Sequence, residues 1–233
     1  MDLTYLMLVL PAVLFSLWAS ARVKSTYKTY RTVRNCRGLS GAEAARRVLA
    51  RHGVSDVRVT MTDGELSDHF DPREKVIRLS SEVYGGSSVA SVGIACHEAG
   101  HAVQHAEDYG PIRLRTAIIP ITNIGSRLAM PLILIGLLLE GLIPMAYQLV
   151  RIGILCFALA AFFQLVTLPT EFNASRRAMQ AIEQDGLLTA EEQKGAKKVL
   201  SAAALTYVAA LAVALTQLLR LIVLYGGGGR KRK

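Results

Sequence analysis

The chain has 233 residues, 52% of them hydrophobic and 19% charged, with a formal net charge of +9. Apolar content above the usual ~45–50% with charge below the usual ~25% excludes a disordered chain, and three scattered cysteines, Cys36, Cys96 and Cys156, exclude a secreted disulfide scaffold. Residues 3–21, 152–170 and 199–219 contain no Asp, Glu, Lys or Arg, giving uncharged runs of 19, 19 and 21 residues; a bilayer span needs about 20, so an integral membrane protein is predicted rather than an ordinary soluble domain.

The first run is predicted to be a transmembrane anchor over residues 1–21. Ala19-Ser20-Ala21 resembles a signal-peptidase site, but Met1-Asp2 carries no cation. Residues 22–51 hold nine Lys/Arg against the single acid Glu43. That asymmetry favours an uncleaved anchor with residue 22 onward in the cytoplasm. Positive charge flanking apolar runs also suits anionic lipid heads. With only Tyr27 and Tyr30 as aromatics in the basic stretch, no nucleic acid is expected as a partner.

Residues 22–116 are predicted to form an extramembrane α+β unit. Ser40-Gly41-Ala42-Glu43 fits a capping box before a short helix ending at Gly53. Val57 and Val59, then Ile77 and Leu79 after the Asp71-Pro72 turn, alternate with polar residues as strands do. Gly85-Gly86-Ser87-Ser88 breaks the chain and caps a helix from about Val89 to Glu107. Residues 117–169 read as a membrane hairpin, with one span within about 120–143, a turn near Glu140–Gln148 and a second span at about 150–169. A re-entrant or kinked segment, encouraged by Pro120, Pro131 and Pro144, is the alternative to the first of these. Arg127, Glu140 and Arg220 lie in or beside apolar runs, where interfacial or snorkelling positions are expected. Residues 170–198 carry five acidic and five basic groups and belong in water; Gly186 separates two helices there, and Thr189-Ala190-Glu191-Glu192 caps the second. Residues 199–225 form a fourth span and 226–233 a basic tail. Four spans would put that tail outside, against the positive-inside tendency.

The strongest local signal is His97-Glu98-Ala99-Gly100-His101. His-Glu-x-x-His on a helix sets two imidazoles one turn apart on one face, where both reach one Zn²⁺. Glu98, ~100° further round, can take a proton from the attacking water without joining the ligand set. The surrounding Ile94, Ala95, Ala99, Ala102 and Val103 make unpaired polar groups costly there.

A catalytic zinc takes a third protein ligand. His105 lies two turns beyond His97, too far along the axis to close a tetrahedral site. In the extended His-Glu-x-x-His-x-x-Gly-x-x-His pattern Gln104 occupies the Gly position and Asp108 the last His position, so that pattern is absent. His105 is read as a supporting or surface group, and Cys96 as packing. Glu171, alone, would read as an interfacial carboxylate capping a helix after Pro169. Beside a His pair needing a partner it becomes the better third ligand, since the 69 intervening residues form a hairpin returning to the same side.

Leu66-Ser67-Asp68-His69-Phe70-Asp71-Pro72, Cys96-His97-Glu98-Ala99-Gly100-His101-Ala102-Val103-Gln104-His105-Ala106, and Thr167-Leu168-Pro169-Thr170-Glu171-Phe172-Asn173-Ala174-Ser175 resemble the bacterial YugP-type neutral zinc metallopeptidases. The run from Lys197 to Ala210 looks like the same family, and the resemblance covers residues 1 to about 225. More distantly the chain is similar to HtpX-like and CAAX-prenyl membrane zinc proteases, which use two helical His, a catalytic Glu and a later Glu-x-x-Ala-Asp motif. Glu171 and Ala174 match that motif; Ser175 replaces its Asp, so the group orienting His97 or His101 is not supplied by the motif. The resemblance implies that the stretch Asp68–Leu79, with Asp68, His69 and Phe70 foremost, holds extended substrate by strand addition. His69 and Arg176 are candidates for steadying the oxyanion.

The expected protein is therefore mainly α, with about four transmembrane helices and a small α+β gluzincin-like unit at the membrane surface. One Zn²⁺ would be held by His97, His101 and Glu171, with Glu98 as general base. The expected partners are the lipid bilayer and protein or peptide substrates, membrane proteins among them. The expected place is the bacterial inner membrane, with the site facing the cytoplasm. A catalytically silent scaffold with a structural metal site would have no use for Glu98. A metal transporter would set its ionisable residues near the midplane of spanning helices.

Overall fold

The computed structural model describes residues 3–143 and 145–226. Met1-Asp2, Pro144 and the basic tail, on which part of the topology reading rests, lie outside the described residues. A π-helical stretch, Tyr5–Val9, leads into α1 (Leu10–Tyr30), which runs unbroken across Ala19-Ser20-Ala21. The expected capping box opens α2 (Gly41–Arg51): Ser40 Oγ accepts from the Glu43 amide, and the Glu43 carboxylate accepts from the Ser40 amide at 2.9 Å. Such a cap is worth about 1 kcal/mol.

Strands β1 (Arg58–Thr62), β2 (His69–Asp71) and β3 (Val76–Ser80) form a sheet in the order β1-β3-β2, with β1 parallel and β2 antiparallel to β3. The tight return into β3 is held by Asp71, whose Oδ1 accepts from the amides of Arg73 at 2.8 Å and Glu74 at 3.3 Å. A single turn, α3 (Ser81–Tyr84), precedes α4 (Val89–Ala106), which starts where Ser88 Oγ accepts from the Ser91 amide at 3.0 Å. The remaining helices are α5 (Gly110–Leu138), α6 (Ala146–Gln184) and α7 (Ala190–Tyr225).

Among the described residues, four helices are long and apolar enough to cross a membrane: Tyr5–Tyr30, α5, α6 and α7. Their extents differ from the sequence reading. α5 starts at Gly110 and passes through Pro120 and Pro131 as one helix, with no re-entrant break. α6 continues past Pro169 to Gln184, and α7 begins at Ala190, before its apolar run. The charged residues 170–198 are thus largely extensions of the apolar helices. Charge marks where a helix meets water, not where it ends.

The chain divides into two compact units. One comprises residues 1–18, 114–168 and 207–233. Within it Ile133, Val150 and Leu221 form a small core, the Tyr147 hydroxyl donates to the Tyr225 carbonyl, and Arg220 lies 5.5 Å from the Tyr5 ring centroid. Many of its large apolar side chains, such as Leu134, Leu138 and Leu155, face outward, as lipid-facing residues do.

The other unit, residues 19–113 and 169–206, contains the sheet. Its core joins Val48 and Leu49 of α2, Ile77 and Leu79 of β3, and Val92, Ala95 and Ala99 of α4 to Ala178 and Ile182 of α6. Small residues let α4 and α6 approach closely. A Cβ built on Gly100 would lie 2.9 Å from the Ala174 carbonyl oxygen. Gly100→Ala is therefore expected to lower stability by about 1–3 kcal/mol, read as a drop in the thermal midpoint in detergent. Gly110→Ala, whose added Cβ would meet nothing within 4 Å, should leave the midpoint unchanged or slightly raised. Equal midpoints for the two variants would refute the close-packing account.

Candidate metal centre

α4 carries His97, Gly100, His101 and Gln104 at spacings of three and four residues, on one face. α6 answers with Thr170, Glu171, Ala174 and Ser175. At the contact, the ligating atoms of His97, His101 and Glu171 all lie within 4.8 Å of one another. His97 Nε2 and His101 Nε2 are each 3.4 Å from Glu171 Oε2. In a tetrahedral zinc site with ligand bonds of ~2.0–2.2 Å, neighbouring ligand atoms sit roughly 3.3–3.6 Å apart. Two imidazoles and one carboxylate at that separation fit zinc in chemistry and in size.

The hydrogen bonds behind the ligands also fit. Gln104 is fully buried; its Nε2 donates to the Thr170 carbonyl at 2.8 Å and to Asn173 Oδ1 at 2.9 Å. A carbonyl can only accept, so the amide nitrogen faces Thr170 and Oε1 faces His101. His101 Nδ1, 2.9 Å from that Oε1, is therefore the donor. The proton on Nδ1 leaves the Nε2 lone pair of neutral His101 pointing into the cluster. His97 Nδ1 lies 3.2 Å from Ser175 Oγ, so Ser175 stands behind that ring. A hydroxyl gives or takes a proton, so it aligns the ring without dictating the tautomer.

The Gln104 arrangement continues outward. Asn173 Oδ1 also accepts from Arg177 Nε at 2.7 Å, Arg177 Nη1 pairs with Glu107 at 2.7 Å, and His52 Nδ1 lies 3.4 Å from the other Glu107 oxygen. Burial alone would lower the pKa of His101. The hydrogen bond to Glu171, the Glu98 and Glu171 charges and the Gln104 contact outweigh it, so the pKa is raised.

The other expected residues divide. Glu98 is buried on α4 beside its two His neighbours. Asp68, just ahead of β2, accepts from the amide of Ser80 at 2.8 Å and its hydroxyl at 3.1 Å, tying β2 to the end of β3. Burial raises its pKa and the Ser80 hydrogen bonds oppose this, while the charge of Glu98 adds to the rise. β2 is an edge strand, and no second strand among the described residues pairs with its outer side. Phe70 rests on the His105 ring, centroids 5.4 Å apart; His105 supports the strand and is not in the ligand cluster. His69 is exposed, its Nδ1 2.7 Å from the Ser67 carbonyl. Arg176 is exposed and lines a separate cavity of about 230 Å³ with His52, Arg177 and Gln180; none of the three cluster residues lines it. Burial pushes the Cys96 thiol up to about 12, which keeps it protonated and out of metal chemistry.

Sequence reasoning assigned Gln104 no part. Its only signal was its place three residues after His101, on the ligand face. Gln104→Leu is expected to weaken zinc binding by about 10–100-fold, measured by competition with a chromogenic chelator. Ser175→Ala should cost less. Wild-type zinc affinity in Gln104→Leu would show that the amide does not set the ligand.

Comparison with known proteins agrees with this centre. Residues 5–226 match the family described as "Putative neutral zinc metallopeptidase". The chain is 46% identical over 224 residues to a protein of Bacillus subtilis (strain 168) named "Putative membrane protease YugP", covering 96% of this chain and 97% of that protein. No solved structure matches. With two helical His and a facing Glu in hand and the match running almost end to end, the chain belongs to the neutral zinc metallopeptidase family.

Proposed function

We propose that this protein is a gluzincin-type membrane zinc endopeptidase, acting at the cytoplasmic face of a bacterial inner membrane on unfolded or membrane-inserted protein substrates. The observation that carries the proposal is the convergence of His97, His101 and Glu171 within 4.8 Å, with Glu98 adjacent and an open strand edge alongside. The two imidazoles and the Glu171 carboxylate would hold one zinc. Zinc, when bound, supplies a Lewis acid that polarises a carbonyl and acidifies water.

The remaining work falls to the chain. The outer edge of β2 offers backbone donors and acceptors to an extended peptide. Asp68 and the Phe70–His105 contact fix that strand beside α4. Glu98 takes the proton of the attacking water as its oxygen adds to the peptide carbon. It returns that proton to the nitrogen as the C–N bond breaks, so the carboxylate ends as it began. His69 and Arg176 are the side chains to which we look for hydrogen-bond donation to the oxyanion. The Lys/Arg excess that begins at Arg22 supports a cytoplasmic site. α4 is not one of the four candidate spans, which favours hydrolysis over an ion path through the membrane.

The test is zinc content by elemental analysis, with cleavage of an unfolded casein-like substrate, on detergent-purified wild type, Glu98→Gln and Glu171→Ala. Wild type should hold one zinc and cleave. Glu98→Gln should keep its zinc and lose about 10²–10⁴-fold in rate, and Glu171→Ala should lose the zinc. Removing the metal with a chelator should stop cleavage, and zinc should restore it. Wild type purified without chelators and free of zinc would overturn the proposal, as would undiminished cleavage by Glu98→Gln.

A further inference from the structure

Away from the metal centre, a groove of about 510 Å³ lies between the end of α1 and the start of α7. That volume lies within the ~300–1,000 Å³ of small-molecule sites. α1 contributes Arg22, Ser25 and Thr29, and α7 contributes Lys194, Lys197 and Lys198. Each set recurs at three- and four-residue spacing, so each helix turns one continuous face to the groove. The lining holds four cations and no carboxylate. Lys194 pairs with Glu191 at 2.6 Å from outside the lining, and Lys198 lies 5.9 Å from the Tyr30 ring centroid. Gly195 makes the close fit possible, since a Cβ there would sit 2.7 Å from the Tyr30 ring.

The position of these charges along their helices identifies the ligand. The uncharged run of α1 ends at Ala21, one residue before Arg22, and that of α7 begins at Val199, one residue after Lys198. On α7 the same face continues through Ala202 to Leu205, inside the apolar run. Cations and hydroxyls therefore meet an apolar floor where each helix passes from water into hydrocarbon. A free phosphate would use only the polar half. A phosphate joined to acyl chains uses both, and basic pockets between membrane helices bind such head groups. We propose that this groove is a binding site for the phosphate head group of an anionic phospholipid. The proposal is independent of zinc and of proteolysis.

Native mass spectrometry of the full chain in neutral detergent, titrated separately with phosphatidylglycerol, phosphatidylcholine and inorganic phosphate, tests it. Phosphatidylglycerol should bind at least about fivefold more tightly than phosphatidylcholine. Lys197→Gln/Lys198→Gln should weaken it on the order of 20-fold, at about fivefold per lysine, and Lys197→Arg/Lys198→Arg should retain it. Lys24→Gln/Lys28→Gln removes the same charge from α1 outside the lining and should change it little. Equal loss in both Gln doubles, or no preference for the anionic lipid, would overturn the site. Inorganic phosphate binding as tightly as phosphatidylglycerol would overturn its assignment to a lipid.

Discussion

The candidate metal centre depends on the absence of bulk at one helix crossing. Helices usually pack with axes 8–10 Å apart, a spacing set by the side chains between them. At Gly100 and Ala174 there is almost nothing between them, and every polar contact of the site falls within a turn of that point. His97 meets Ser175, the two imidazoles meet Glu171, and Gln104 reaches the Thr170 carbonyl. Side chains of these lengths recover little of any distance lost between the two helices. The small pair is therefore as much a part of the site as the ligands, though it offers no donor atom.

Bringing a carboxylate and two imidazoles into a buried place is costly unless each polar atom finds a partner. The chain does this by extension rather than by enclosure. From His101 the contacts pass through Gln104 and Asn173 to Arg177, then to Glu107 and His52. From Gln104 to Glu107 each link fixes the orientation of the next, because a nitrogen that can only donate faces an oxygen that can only accept. The direction of the buried Gln104 amide is thus settled by the Thr170 carbonyl on another helix.

What the sequence disclosed follows the range of each interaction. The His97/His101 pair, the Ser40–Glu43 cap and the strand alternation around Ile77 are local, and their spacing suffices to read them. Glu171 became legible through the hairpin that returns the chain, and through family likeness. Gln104 did not, since its partners are a backbone carbonyl and an amide more than 60 residues away, and a glutamine in a helix carries no mark of either. Nothing local marks Gly100 as a contact point, since Ala174 stands opposite it on another helix. The extents of α6 and α7 misled for another reason. Pro169 and the charges after it look like an ending, yet a helix tolerates one missing hydrogen bond when the face beyond it, here Ala174, Ala178 and Ile182, is wanted in a core.

The edge strand β2 is three residues long, about 10 Å of extended chain. So short an edge presents little template for unwanted self-pairing. Were it to hold substrate as proposed, it would read hardly any side chains, since only alternate residues of a bound segment could face the protein. Discrimination between substrates would then be conformational: a stretch of polypeptide would qualify by being unpaired and extended, and a well-folded neighbour would seldom offer one.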